Sequence, residues 1–139
     1  MAEALSYSLE DVKGMTKQNA DALRQAGCQD TDGFLEACRT PAGRRGLAAE
    51  TGISGDDILD LANRADLMRV SGIGEKYGDL LEIAGVDTVP ELAQRNPENL
   101  TQMLEDANNK HNLVKALPSV SQVEDWVGQA KKLDRRLEY

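Results

Sequence analysis

The chain has 139 residues, of which 40% are hydrophobic, 29% charged and 4% aromatic, and its formal net charge is −8. That length holds one compact domain or two very small ones, and the scarcity of aromatics leaves Leu, Ile, Val, Ala and Met to build a core, a composition that suits helices. The acidity weighs against nonspecific attraction to nucleic acid or anionic membrane, no apolar run approaches the roughly 20 residues that span a bilayer, and the start of the sequence lacks the basic and apolar regions of a signal peptide, so a cytoplasmic protein is expected.

In chain order, Ser8 with Asp11 resembles a capping box and predicts a short helix to about Lys13. After a turn at Gly14, a helix is expected over 17–26, stopped by Gly27 at the left-handed position that favours glycine. A short helix follows over 32–38. Thr40-Pro41 sets a cap before a first-turn proline and opens a helix that ends near Gly52. Ser54 with Asp57 caps the next helix, whose apolar stripe is Ile58, Leu61, Ala62, Ala65 and Met68, at spacings of three and four. A second glycine turn, Gly72-Ile73-Gly74, leads into a helix through Leu81 that stops at Gly85. Thr88 with Glu91 caps a short helix, and Asn96-Pro97 opens another to about Asn109. Residues 110–119 read as a loop. Ser121 with Glu124 is expected to cap the last helix, whose stripe is Val123, Trp126, Val127, Ala130 and Leu133. No stretch alternates with period two long enough to be a strand.

The chain repeats itself. The segment VKGMTKQNADALRQAGC from Val12 aligns with VSGIGEKYGDLLEIAGV from Val70. Val12, Gly14, Met15, Asp21, Leu23, Ala26 and Gly27 match Val70, Gly72, Ile73, Asp79, Leu81, Ala84 and Gly85. With a one-residue slip, Asp30-Thr31 matches Asp87-Thr88, and Leu35 matches Leu92. These matches predict a tandem duplication.

The second glycine turn has several readings. Gly72-x-Gly74-x-x-x-Gly78 departs from the dinucleotide fingerprint and follows a helix rather than a strand, and no P-loop pattern is present. The pattern fits two short antiparallel helices joined by a tight corner, with Ile73 plugging the gap between them. Backbone N–H groups at such a corner and at the next helix start bind anions, and Lys76 adds a point charge one turn in. The other reading is a packing corner without a ligand. It is favoured by the local acidity: three basic residues against five acidic ones lie between Arg69 and Arg95. In the first unit Thr16 stands where Gly74 stands and Gln18 where Lys76 stands. Threonine dislikes positive φ, so the first turn is expected to differ in shape.

These residues carry a resemblance. VSGIGEKYGDLLEIAGVDTVPEL is similar to the helix-hairpin-helix motif of DNA repair and recombination proteins. The whole unit, with RTPAGRRGLAAETGIS and DILDLANRADLMRVSGIGEKYGDLLEIAGVDTV, resembles a bacterial family described as domain of unknown function 4332, over roughly Leu9 to Leu133. The resemblance implies tandem helix-hairpin-helix units in a compact all-α fold and no enzyme activity. The wider hairpin class implies contact of the turn with a DNA backbone rather than with base edges. That implication falls on Gly72, Ile73, Gly74 and Lys76.

Other candidates are weaker. The loop RTPAGRRG carries Arg39, Arg44 and Arg45, which could meet phosphate or an acidic partner, or simply flank a solvated helix. Lys131, Lys132, Arg135 and Arg136 near a helix C-terminus suit the macrodipole without any function. Trp126 lies on an apolar stripe and reads as core. Cys28 and Cys38 read as reduced, buried thiols, with a disulfide as the alternative. His111 is the only histidine, expected in a polar loop between Lys110 and Asn112 without a neighbouring nucleophile, so no catalytic residue, metal site or cofactor is expected.

The expectation is therefore an all-α protein of about ten short helices. It has two tandem, pseudo-symmetric helix-hairpin-helix units, 1–66 and 67–139, sharing a helix near 54–70. Each has about 60 residues and a marginal core, so the two are expected to pack as one globule. The leading function is a non-catalytic interaction module that binds another protein. The rival is sequence-nonspecific DNA-backbone binding through Gly72 to Lys76, disfavoured by net charge. No membrane contact is expected, and oligomeric state and partner identity are not written in the sequence.

Overall fold

Short polar side chains set the helix starts of this protein. In a computed structural model, which describes residues 6–139, there are eight α-helices, one 3-10 turn (Leu9–Asp11) and no strand among the described residues. The helices are α1 (Lys17–Gln25), α2 (Thr31–Ala37), α3 (Pro41–Thr51), α4 (Gly55–Leu67), α5 (Glu75–Ile83), α6 (Val89–Ala93), α7 (Pro97–His111) and α8 (Val120–Lys132). Thr16, Asp30, Thr40, Thr88, Asn96 and Ser119 each accept a backbone N–H three residues on, and Ser54 Oγ accepts from Asp57 N–H at 3.1 Å. Each such bond satisfies one of the orphan donors at a helix start. Pro41 and Pro97 occupy first-turn positions, where a missing N–H costs nothing.

Two expected caps are corrected. Ser8 makes no side-chain cap bond, and its segment is the 3-10 turn rather than a helix to Lys13. The last helix is capped by Ser119 with Gln122, in a full capping box, not by Ser121 with Glu124. Both spacings are S-x-x-E/Q. The earlier start follows directly on Pro118, which cannot itself continue a helix and is buried. α7 runs on through Lys110 and His111, expected in the loop, and ends where Asn112 takes a left-handed φ of 50°, a conformation that asparagine tolerates.

The chain divides into two compact units: residues 67–134, and residues 6–66 together with 135–139. Residues 135–139, expected in the second unit, thus belong with the first; residues 1–5, expected at the start of the first unit, lie outside the described residues. In the first unit α1 packs on α3 and on the 3-10 turn, and α2 packs on α3. In the second, α8 packs across α6 and α7, and α5 packs against α7.

The duplication is visible in the hydrogen bonding. Met15 N–H donates to Val12 O at 3.0 Å, and Ile73 N–H to Val70 O at 3.4 Å. Cys28 N–H donates to Leu23 O at 2.9 Å, and Val86 N–H to Leu81 O at 2.8 Å. Asp30 caps α2 as Thr88 caps α6, at the same spacing as Val12 and Val70, so the expected one-residue slip does not exist. The buried pairs Thr31 with Val89 and Phe34 with Leu92 keep that frame. The matching letters Asp-Thr had suggested the slip; the cap position, which the backbone dictates, overrules them.

The stripes of α4 and α8 correspond as well. Ile58, Leu61, Ala62 and Ala65 on one, and Val123, Trp126, Val127 and Ala130 on the other, are buried at equal spacings. Each helix also sets one side chain against the glycine of its own unit. A Cβ added to Gly14 would meet Leu61 Cδ2 at 3.6 Å, and one added to Gly72 would meet Trp126 Nε1 at 3.0 Å.

Candidate functional site

The second glycine corner is built from the end of α4 and the start of α5. Val70 and Ile73 point into the core, while Ser71, Gly72 and Gly74 face solvent. Gly72 has φ +96° and Gly14 in the first unit has φ +89°, values that L side chains resist. Thr16 and Gly74 both sit in extended backbone, with φ −85° and −91°. The first turn therefore has the same shape as the second, against expectation, because the position Thr16 fills never needs a positive φ.

Two side chains hold the second corner in place. Gln129 on α8 accepts Ser71 N–H at 2.8 Å and donates to Ser71 O at 3.0 Å, and its Nε2 also reaches Asp125 Oδ2 at 2.8 Å. Tyr77 stacks obliquely on Trp126, with ring centroids 5.3 Å apart, and donates its hydroxyl to Ala116 O at 3.0 Å. The loop that Tyr77 reaches is itself fixed by Asn108, whose Oδ1 accepts from Leu113 and Val114 N–H at 2.8 and 3.0 Å.

Gly74 opens α5 without a side-chain cap, and α5 is alone in this among the described helices. In the first unit Thr16 Oγ1 occupies the corresponding place and accepts Asn19 N–H at 3.1 Å. Lys76 is exposed on the first turn of α5. An open cleft of about 490 Å³ lies beside it, lined by Lys76, Tyr77 and residues 112–116, and Lys115 is its second cation. Glu75 shares the first turn of α5, so the local field is mixed. Gly72, Ile73, Gly74 and Lys76 are thus contiguous, with Ile73 serving the core and the other three reaching solvent.

The basic loop behaves differently. Arg44 lies within α3, is buried, and donates to Cys38 O at 2.8 Å. Its guanidinium carbon sits 5.7 Å from the centroid of the Tyr139 ring. Arg39 pairs with Glu138 at 3.2 Å, and its carbonyl accepts Glu138 N–H at 2.7 Å. Arg45 is exposed. Arg39 and Arg44 are occupied with residues 135–139, a segment we call the strap. Arg136, expected to serve the helix end, instead pairs with Asp32 at 2.7 Å and approaches Glu36 at 3.7 Å. Nothing local in the sequence signals these pairings.

A third feature escaped the sequence reading. Between α5 and α7 runs a groove of about 350 Å³ lined by Ile83, Ala84, Met103, Asp106, Ala107, Lys110 and His111. Ile83 is 45% exposed and Met103 37% exposed. The repeat alignment held the signal: Ile83 stands where the first unit has Gln25.

The two thiols are sequestered. Cys28 and Cys38 are free and buried. Burial pushes the Cys38 thiol up to about 12, with the nearby Cys28 adding and Arg44 opposing. Cys28 is raised by burial and then by the charge of Glu50. No group of three or more His, Cys, Asp or Glu residues is placed to hold a metal ion among the described residues. No helix among them is long and apolar enough to cross a membrane.

A duplicated run of capped helices, each copy bent at a glycine that a side chain of its own later helix abuts, defines an all-α tandem-repeat protein. The family model described as domain of unknown function (DUF4332) matches residues 13–133, and the chain belongs to that family. No curated protein and no solved structure matches it.

Proposed function

We propose that this protein is a non-catalytic helix-hairpin-helix interaction module whose second unit binds a protein partner along the groove between α5 and α7. The observation that carries this reading is the exposed pair Ile83 and Met103, flanked by Ala84 and Ala107. Small residues let a partner backbone approach closely, and the branched Ile83 and the flexible Met103 supply apolar area to cover. Asp106, Lys110 and His111 give the groove a polar rim of both signs. Such a groove suits the apolar stripe of an amphipathic helix. A cytoplasmic location fits two free thiols.

The test is differential capture. Wild-type protein immobilised on a resin should retain one stoichiometric partner, and Ile83→Glu with Met103→Glu should lose it while thermal stability stays unchanged. Equal retention by both forms removes the reading.

A second reading, sequence-nonspecific contact with a DNA backbone through Gly72, Gly74 and Lys76, is favoured by the uncapped start of α5 beside two lysines. Phosphate contacts release counterions, so binding should weaken steeply with salt and with Lys76→Glu. Absence of any anisotropy change with duplex, single-stranded or branched DNA at low salt excludes it.

A further inference from the structure

We propose that the surface of the first unit that holds the strap is a peptide-binding site, and that its ligand in trans is the strap of a second copy of this chain. Leu133, at the end of α8, is extended with φ −83° and ψ 139°, so the chain leaves the helix as a strand-like segment. Successive strap residues then take separate partners. Arg136 donates to the Asp32 carboxylate at 2.7 Å and to Asp32 O at 3.0 Å. Leu137 is 2% exposed. Glu138 takes Arg39 through both its side chain and its N–H, at 3.2 and 2.7 Å. Tyr139 lies against Arg44 and donates its hydroxyl to Asn63 Oδ1 at 2.6 Å.

This is how extended peptides are recognised: a main-chain hydrogen bond for register, an apolar anchor in a hole, and opposite charges on either side of it. The receiving side chains Asp32, Arg39, Arg44 and Asn63 all come from the α2–α4 region. None of that chemistry depends on which copy supplies the strap. What favours the strap of the same chain is tethering, which acts as an effective concentration of order millimolar for a short flexible link. Removing the tethered strap, or crowding the protein, hands the surface to a strap from elsewhere. The one segment whose fit is demonstrated in detail is this chain's own, and reciprocal exchange of an identical element closes into a two-fold dimer.

Two variants test it. One lacks residues 135–139, leaving the surface open. The other carries Asp32→Arg and Glu36→Arg, which repel Arg136 and leave its strap free. Each alone should run as a monomer in light scattering. Mixed at tens of micromolar, they should form a one-to-one heterodimer that a further Leu137→Asp in the strap donor abolishes. If the shortened chain loses its helical circular dichroism, full-length protein with Leu137→Asp replaces it as the open-surface component. Two folded components that stay monomeric on mixing overturn the proposal.

Discussion

The indole nitrogen of Trp126 lies 3.0 Å from the point where a Cβ on Gly72 would stand, in a corner whose φ of +96° already resists an L side chain. In the first unit the same corner, Gly14, is covered by Leu61 at an ordinary 3.6 Å. Gly14→Ala should therefore cost the backbone term alone, about 1–2 kcal/mol. Gly72→Ala adds overpacking against a buried ring, a further ~1–3 kcal/mol. Urea unfolding followed by the fluorescence of the single tryptophan reports the second unit, and circular dichroism reports both. Equal losses in the two variants would show that Trp126 yields freely.

Gln129 clamps Ser71 through both polar groups of its amide. Because Ser71 is exposed, water replaces the clamp when it is removed, so Gln129→Ala should cost only about 1 kcal/mol. Its clearer effect is local: the Ser71 amide should exchange with deuterium at least several-fold faster, while amides in the middle of α8 keep their protection.

These two contacts mark the line between what the sequence discloses and what it withholds. Caps such as Thr40-Pro41, Ser54 with Asp57 and Asn96-Pro97 are legible because donor and acceptor lie within one turn. The repeat is legible because glycine corners accept few substitutes. Register is ambiguous in the sequence at Asp30, where letter identity competes with cap geometry, and so is the start of α8, where two capping boxes overlap. Arg136 with Asp32 spans 104 residues and Ser71 with Gln129 spans 58, and no local rule reaches so far. The groove at Ile83 is hidden for a different reason: an apolar residue on a helix reads as core, and only the packing shows Ile83 to be 45% exposed.

Glu10 accepts a two-pronged hydrogen bond from Arg24, one prong at 2.7 Å, and this lowers its carboxyl from 4.5 to about 2. A carboxyl depressed in the folded state adds stability above its unfolded value, which is lost as pH falls from about 4.5 toward 2. Glu10→Gln should lower the melting temperature at pH 6–8, where the ionised pair contributes in full, and the two forms should converge as pH falls from about 4.5 toward 2. The pair is exposed, so 0.5 M salt should shrink the difference between the two forms.

Cys28 and Cys38 should resist alkylation at pH 8 in the folded protein, since a buried thiol held above its usual value presents little thiolate. Cys38 should be the slower of the two. Both should react promptly in 6 M urea, and mass spectrometry of quenched samples gives each rate. Fast native labelling of Cys38 would mean that the region around α2 and α3 opens far more readily than its packing implies.

The strap has a consequence for how this protein is made. Residues 135–139 leave the ribosome after the entire second unit, yet Leu137 fills a place in the core of the first. The earlier-born half must wait, incomplete and with an apolar hole uncovered, while the later-born half is synthesised as one uninterrupted stretch. Folding during translation should thus run against the order of synthesis, with the second unit finishing before the first. The long loop closure that ends the process, from Asp32 to Arg136, is the slow contact to look for in refolding kinetics.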